Sequence, residues 1–163
     1  MNELKKELES EAFIAFSDCD PFRHLNNARY IDYFLNAREH QLMEAYQFSL
    51  ADWGAKGKGW FVTQNLVAYL KPARYAETVV MISRILLFND YDLHLEMIML
   101  DKKRTAFKSL FWSKFSHIDL ITGKKLEHSK ELKELFNTVC YREEDIELQS
   151  FDRRVEQLRN KYK

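Results

Sequence analysis

Asp18-Cys19-Asp20-Pro21-Phe22-Arg23-His24-Leu25-Asn26-Asn27-Ala28-Arg29-Tyr30 sets two carboxylates, an imidazole and two side-chain amides close together. An apolar run precedes the stretch and a helical pattern follows it. Pro21 fixes its own φ and disfavours the helical region for Asp20, and Asn26 or Asn27 is a good N-cap, so the helix is expected to start near Ala28. Its unpaired N–H groups and positive dipole end would then face the space beside Asp20 and His24. A carboxylate base or nucleophile opposite such a helix end suits attack on a carbonyl. The same residue types also suit a plain turn and cap. Cys19 beside a helix end could be an activated thiol, but strand alternation points it away from Asp18 and Asp20, which favours packing.

Asp20, His24, Asn26, Asn27 and Tyr30, continued by Tyr33-Phe34 and Ala37-Arg38, resemble the Asp-x-x-Gly-His-x-Asn-Asn-x-x-Tyr-x-x-Tyr-Phe-Glu-x-Ala-Arg signature of hotdog-fold acyl-CoA thioesterases related to 4-hydroxybenzoyl-CoA thioesterase. Ala68-Tyr69-Leu70-Lys71-Pro72-Ala73-Arg74-Tyr75 is similar to that family's strand-end segment, and Thr105 to Lys125 to its last strand and turn. The likeness spans about residues 10 to 135. It departs at two places: Arg23 stands where the signature has Gly, and Leu35 where many members carry Glu. A Gly with φ > 0 would be costly to replace by Arg, and Leu35 removes a second acid or base from the helix.

The elements that must position these residues read as follows. Residues 11–17 form a short buried strand. Ala28 to about Ala51 is one long helix, with Ile31, Phe34, Leu35, Leu42, Ala45 and Tyr46 at helical spacing and Tyr30, Tyr33 and Ala37 widening the stripe. Tyr30, Tyr33 and Phe34 are read as core. Gly54, Gly57 and Gly59, with Lys56 and Lys58, make a flexible solvated connection that lacks the ending of a phosphate-cradling loop. Strands follow at Phe61–Leu70, Thr78–Phe88, Tyr91–Leu100 and Thr105–Ile118, with Asn89-Asp90 as one turn. On the last strand Phe107, Phe111 and Phe115 share the helix-facing side. Ser129 caps a short helix through Phe136, and residues 143–163 carry an amphipathic stripe of Leu148, Phe151, Val155, Leu158 and Tyr162. The fold class is α+β, an antiparallel sheet wrapped around a long central helix with an added C-terminal helix. Residues 1–140 form the main domain and 141–163 the extension.

Composition limits the alternatives. The 163 residues suit one domain, with 46% hydrophobic and 14% aromatic residues against four Gly and two Pro, which disfavours long disorder. With 25 basic and 25 acidic residues, no basic field invites nucleic acid. Cys19 and Cys140 are read as reduced thiols, and no spacing suggests a metal site. The charged N-terminus lacks a signal peptide's apolar region, and no apolar run nears about eighteen residues, so a cytoplasmic protein without a membrane span is expected.

The resemblance implies hydrolysis of an acyl thioester. Asp20 is base or nucleophile, N–H groups near Asn26 to Ala28 polarise the carbonyl, and His24 with Asn26 or Asn27 holds turn, water or substrate. It also implies Tyr30 and Arg74 as substrate contacts, and acyl-CoA or an acyl-carrier protein as partner, with coenzyme A entering only as part of the substrate. It implies a homo-oligomer, a dimer or dimer of dimers, with sites shared between subunits. Lys71, Lys102, Lys103, Arg104 and Lys108 are further candidates for coenzyme A phosphates. Two other readings remain: an acyl-thioester binder that does not cleave, and hydration or dehydration of the acyl group, which would want a His-centred motif.

Overall fold

The computed structural model describes residues 4–141 and 150–162. In chain order the elements are β1 (Glu7–Phe13), α1 (Tyr30–Tyr46), α2 (Leu50–Ala55), β2 (Lys58–Tyr69), β3 (Thr78–Phe88), β4 (Asp92–Asp101), β5 (Phe107–Asp119), α3 (Lys130–Val139) and α4 (Phe151–Lys161). Short 3₁₀ turns at Phe16–Asp18 and Asn27–Arg29 lie between β1 and α1. The strands form one antiparallel sheet in the order β1-β3-β4-β5-β2, so β1 and β2 are its edges. It wraps α1 as expected, with Ile14, Phe34, Met81, Met97 and Phe111 buried between them and Phe34 stacked on Phe111 at 5.0 Å.

Several boundaries differ from the sequence reading, each for a local reason. The first strand is Glu7–Phe13, not 11–17, because Glu7, Glu9 and Glu11 occupy an edge and pair with Arg84, Arg104 and Lys102. Acidic side chains on an edge strand hide the strand pattern. The long helix stops at Tyr46, not near Ala51. Gln47 takes a left-handed φ of 52° and donates its N–H to Leu42 and Met43 carbonyls, which closes the helix end. Ser49 then caps α2 through the Asp52 N–H at 3.1 Å, so Gly54 is helical. Gly57, at φ 71°, alone makes the turn, and Gly59 lies within β2.

Two faces also differ from the sequence pattern. The buried stripe of α1 is Tyr30, Phe34, Ala37, Arg38 and Gln41, while Ala45 is exposed. Polar side chains therefore lie on the inner face. On β5 the register slips between Ser109 and Phe107 opposite Met99 and Leu100. That bulge turns Phe107 over, away from Phe111, to join Leu110 and Trp112.

The second sheet face is covered by α4, whose Val155 and Leu158 pack on Val80, Ile82, Ile98, Leu110 and Trp112. This is part of the helix expected over 143–163; residues 143–149, with Leu148 of the expected stripe, and residue 163 lie outside the described residues. The docking is anchored by Glu96, which is wholly buried. Its carboxylate accepts from Trp112 Nε1 (2.9 Å), Arg154 Nε (2.8 Å) and Nη2 (2.9 Å), and Arg84 Nη1 (3.0 Å). Strand register places Glu7, Arg84, Glu96 and Trp112 side by side on β1, β3, β4 and β5. Ser129 caps α3 as expected, but that helix continues to Val139.

At one end of the sheet Trp60 stacks on His117 at 4.5 Å and His117 on His128 at 5.1 Å. Trp60 Nε1 donates to His128 Nε2 (3.2 Å), and His128 Nδ1 lies 3.0 Å from the Asn89 carbonyl. Those two bonds require neutral His128 protonated at Nδ1. Burial foremost depresses both imidazoles from their ordinary value near 6.5; His128 and Lys58 add to this at His117 against backbone hydrogen bonds at Leu126 and Glu127, and Lys133 adds to it at His128 against the Asn89 carbonyl, Asp92 and Asp90. The folded state thus binds fewer protons than the unfolded chain, so this contribution to stability is present above about pH 6.5 and lost as pH falls. Urea midpoints should drop between pH 7.5 and pH 5.5, and His117→Phe should reduce the drop; an unchanged drop in that variant would exclude the stack as its source.

Candidate active site

Asp18 to Asp20 and His24 to Asn26 form a small antiparallel hairpin. Asp20 N–H donates to the His24 carbonyl (2.8 Å), Asn26 N–H to the Asp18 carbonyl (2.9 Å), and Cys19 bridges Leu25. Its tip is closed by Asp20 itself. One carboxylate oxygen, Oδ1, accepts the N–H groups of Phe22 (2.9 Å) and His24 (3.0 Å), and the Arg23 N–H reaches the Asp20 carbonyl at 3.0 Å. Among the described residues, Oδ2 receives no hydrogen bond. Arg23 has a φ of 62°, so the backbone keeps the left-handed conformation for which the signature's glycine is suited.

Asn26 is the cap of the turn into α1, its side chain accepting the Ala28 N–H at 3.0 Å. The Arg29 N–H meets the Asn26 carbonyl. Of the N–H groups of Asn26, Asn27 and Ala28, that of Asn27 alone lacks an acceptor among the described residues. The Asn27 carbonyl accepts from Tyr69 Oη at 3.0 Å, which ties the C-terminal end of β2 to the helix start. His24 is half-buried, and no side-chain hydrogen bond to it is made among the described residues. It is held instead through its backbone and a bridge to Arg74.

Tyr30 is buried, and its hydroxyl accepts the Ala73 N–H at 3.0 Å, fastening the segment before β3 to α1. Arg74 has an exposed side chain, and its backbone N–H is held by Glu77 at 2.9 Å. The other basic candidates divide. Lys102 pairs with Glu11, Arg104 with Glu9, and the Lys108 ammonium is buried against Glu77 (2.8 Å) and the Pro72 carbonyl (2.9 Å), whereas Lys71 and Lys103 are exposed. Cys19 donates to the Ala15 carbonyl, and burial, with the neighbouring Asp20 and Asp18 carboxylates, pushes its thiol up. That opposes thiolate formation. Among the described residues no three His, Cys, Asp or Glu side chains are grouped to hold a metal ion.

Three contributors were missed in the sequence. Tyr33 accepts the Ala15 N–H (3.0 Å) and lies 2.9 Å from Asp18 Oδ2, locking the exit of β1 to the hairpin. Tyr33 stands in the matching signature, but its place in the apolar stripe reads as core and hides the hydroxyl's role. Tyr69 is the second. The third is a cavity of about 290 Å³ between the C-terminal half of α1, the sheet and α3, with Leu35, Trp60, Leu95, Phe115 and Phe136 in its wall. Leu35, the departure from the signature's Glu, extends its apolar surface. The contributing residues are scattered from position 35 to 139, so no local pattern announces the cavity.

The family model described as the thioesterase-like superfamily matches residues 14–136. Among solved structures, DHNA-CoA thioesterase from Staphylococcus aureus is similar, with a TM-score of 0.74 at 17% identity, over 96% of this chain and 95% of that one. YbaW, a probable thioesterase from Escherichia coli, gives 0.70 at 22% identity, over 82% and 99%. The hypothetical protein SAV2348 from Staphylococcus aureus, in complex with CoA, gives 0.78 at 12% identity, over 93% and 97%. No curated protein sequence matches the chain. The neighbours carry the hotdog fold seen here.

Arg23 is exposed and strained at φ 62°. Arg23→Gly should therefore stabilise the protein by about 1 kcal/mol, read as a raised urea midpoint at unchanged m-value. A lowered midpoint would show that the arginine side chain holds the turn.

Proposed function

The chain belongs to the thioesterase-like superfamily, and from that membership we propose that it hydrolyses an acyl thioester to a free acid and a thiol. The observation that carries the assignment of residues is the division of labour on the hairpin. Asp20 Oδ1 is fixed by two N–H groups, and among the described residues Oδ2 receives no hydrogen bond and the Asn27 N–H at the helix start has no acceptor. In one route Oδ2 takes a proton from water as the water oxygen bonds to the thioester carbon. The carbonyl oxygen gathers charge against the Asn27 N–H and the helix dipole, the C–S bond breaks, and the thiolate receives the proton. In the other, Oδ2 attacks directly, the thiolate leaves, and water opens the resulting anhydride. His24 and Asn26 hold the hairpin, and Arg74 meets the carrier's phosphates. The buried Tyr30 acts by fixing Ala73 beneath Arg74. The CoA held by the SAV2348 structure supports coenzyme A as the carrier.

The reading includes a second copy. Edge strand β2 exposes Phe61, Val62, Leu66 and Tyr69, a hydrophobic edge unpaired among the described residues and of the kind that seeks a partner strand. Trp60 and Val62, near the start of β2, line the cavity, and Tyr69, at its end, holds the Asn27 turn. Antiparallel pairing of β2 with its copy reverses one strand on the other, so the hairpin of one protomer meets the cavity of its partner. The acyl group would enter that cavity while its thioester lies at Asp20. Because α4 covers the outer sheet face, the dimer rests on the β2 edge and not on sheet backs.

Thiol release from a panel of short, long and aromatic acyl-CoAs tests the reaction. Asp20→Asn should lower turnover by roughly 10²- to 10⁴-fold and leave stability nearly unchanged, since an amide oxygen still accepts from Phe22 and His24. Near-normal turnover in that variant would remove Asp20 from the chemistry. Binding without release by the natural protein would favour a non-cleaving acyl-thioester binder. In sedimentation, the Phe61→Lys, Leu66→Lys double variant should change a dimer to a monomer and lose turnover; an active monomer would refute the shared site.

A further inference from the structure

The cavity wall contains one group at odds with the rest. Arg38 is 9% exposed, on the inner face of α1, and lines a space otherwise walled largely by Leu, Val, Ile and aromatic side chains. Its only hydrogen bond among the described residues runs from Nη1 to Ser83 Oγ at 2.9 Å. Ser83 in turn donates to Gln41 Oε1 (2.5 Å), and Gln41 Nε2 is held by Ser10 Oγ and the Met81 carbonyl. A guanidinium has five N–H donors, so four lack an acceptor among the described residues. No carboxylate there lies within ion-pair distance; Glu39, also on the cavity lining, is exposed and makes no ion pair with Arg38. Burial pushes the Arg38 pKa down to about 10, so the side chain is still a cation at neutral pH.

A buried cation without a counter-ion is costly, and structures retain such groups where a ligand or a partner charge completes them. We propose that Arg38 is a specificity-determining residue: the cavity takes an acyl group with an apolar body and a carboxylate at the end remote from the thioester, and Arg38 binds that carboxylate. At roughly 30 Å³ per small group of liquid-like packing, 290 Å³ holds about eight to ten heavy atoms. That is the size of a medium-length dicarboxylic acyl chain. Leu35, Leu95 and Phe115 would take the methylenes, and the fork of Arg38 two carboxylate oxygens. The inference rests on the thioester reading only in naming the acyl group; the cation in the cavity stands apart from it.

The experiment separates the two. Octanoate and 1-octanol, equal in length and differing in the charged end, are titrated against the full chain by calorimetry, for the natural protein and for Arg38→Met. Octanoate should bind about tenfold or more tighter than octanol, and Arg38→Met should erase the difference while leaving octanol affinity in place. Octanol binding as tightly as octanoate, or a preference that persists in Arg38→Met, overturns the proposal. Arg38→Gln, which can still bond Ser83, serves in the same titration should the methionine variant not fold. A merely structural arginine would lower the unfolding temperature of both variants without altering the ligand ratio. In the hydrolysis arm, octanedioyl-CoA should exceed octanoyl-CoA in kcat/KM, with Arg38→Met reversing the order. Absence of cleavage for every thioester would count against the hydrolytic reading, and the titration would still decide the role of Arg38.

Discussion

The central strands of this sheet are buried on both faces, and that constraint shapes most of the molecule. From Val79 to Leu86 every residue of β3 is buried, alternate side chains facing α1 and α4. A five-stranded sheet with one apolar face needs one cover, but this one has two and therefore needs a second layer. The second cover is held by Glu96. Burying a carboxylate is tolerable only when its lone pairs are used, and here Arg84, Arg154 and Trp112 use them. The ladder register fixes the partners on the sheet, and α4 brings the last arginine. A polar group thus specifies where an apolar helix docks.

The inner layer follows a different rule. α1 is not strongly amphipathic, since Arg38 and Gln41 lie on its buried side and Ala45 on its exposed side. Hydrogen bonds from Arg38 to Ser83 and from Gln41 to Met81 tie helix to sheet where hydrophobic contact would otherwise do so. The gap left between this half of α1, the sheet and α3 is the cavity. The other half of α1 carries Phe34 and Tyr30, both buried, and Tyr30 holds the Ala73 N–H beside the hairpin.

At the hairpin itself, local bonding does the positioning. Asp20 closes its own turn, Asn26 caps the helix, and Tyr33, Tyr69 and Tyr30 fasten the surrounding segments from three directions. Arg23 adopts a left-handed backbone where the family signature has glycine. The hydrogen-bond pattern of the turn thus outweighs the conformational cost of the side chain.

What the sequence determined by itself is what neighbouring residues settle among themselves. The Asp20 turn, the Asn26 cap, the Ser129 cap, the start of the long helix and the strands from Thr78 onward were legible because proline geometry, capping and alternation act over a few residues. The family, too, was legible in a contiguous motif. Tertiary structure decided the rest. Gln47 ended the helix, Glu-rich β1 became an edge strand by pairing with β3, and the β5 bulge moved Phe107 to the other face. The polar inner face of α1, the seat of α4 on Glu96 and the cavity beside Arg38 depend on side chains that meet across the sheet. Their energies come from burial and partner choice, and neither quantity exists until distant parts of the chain are packed together.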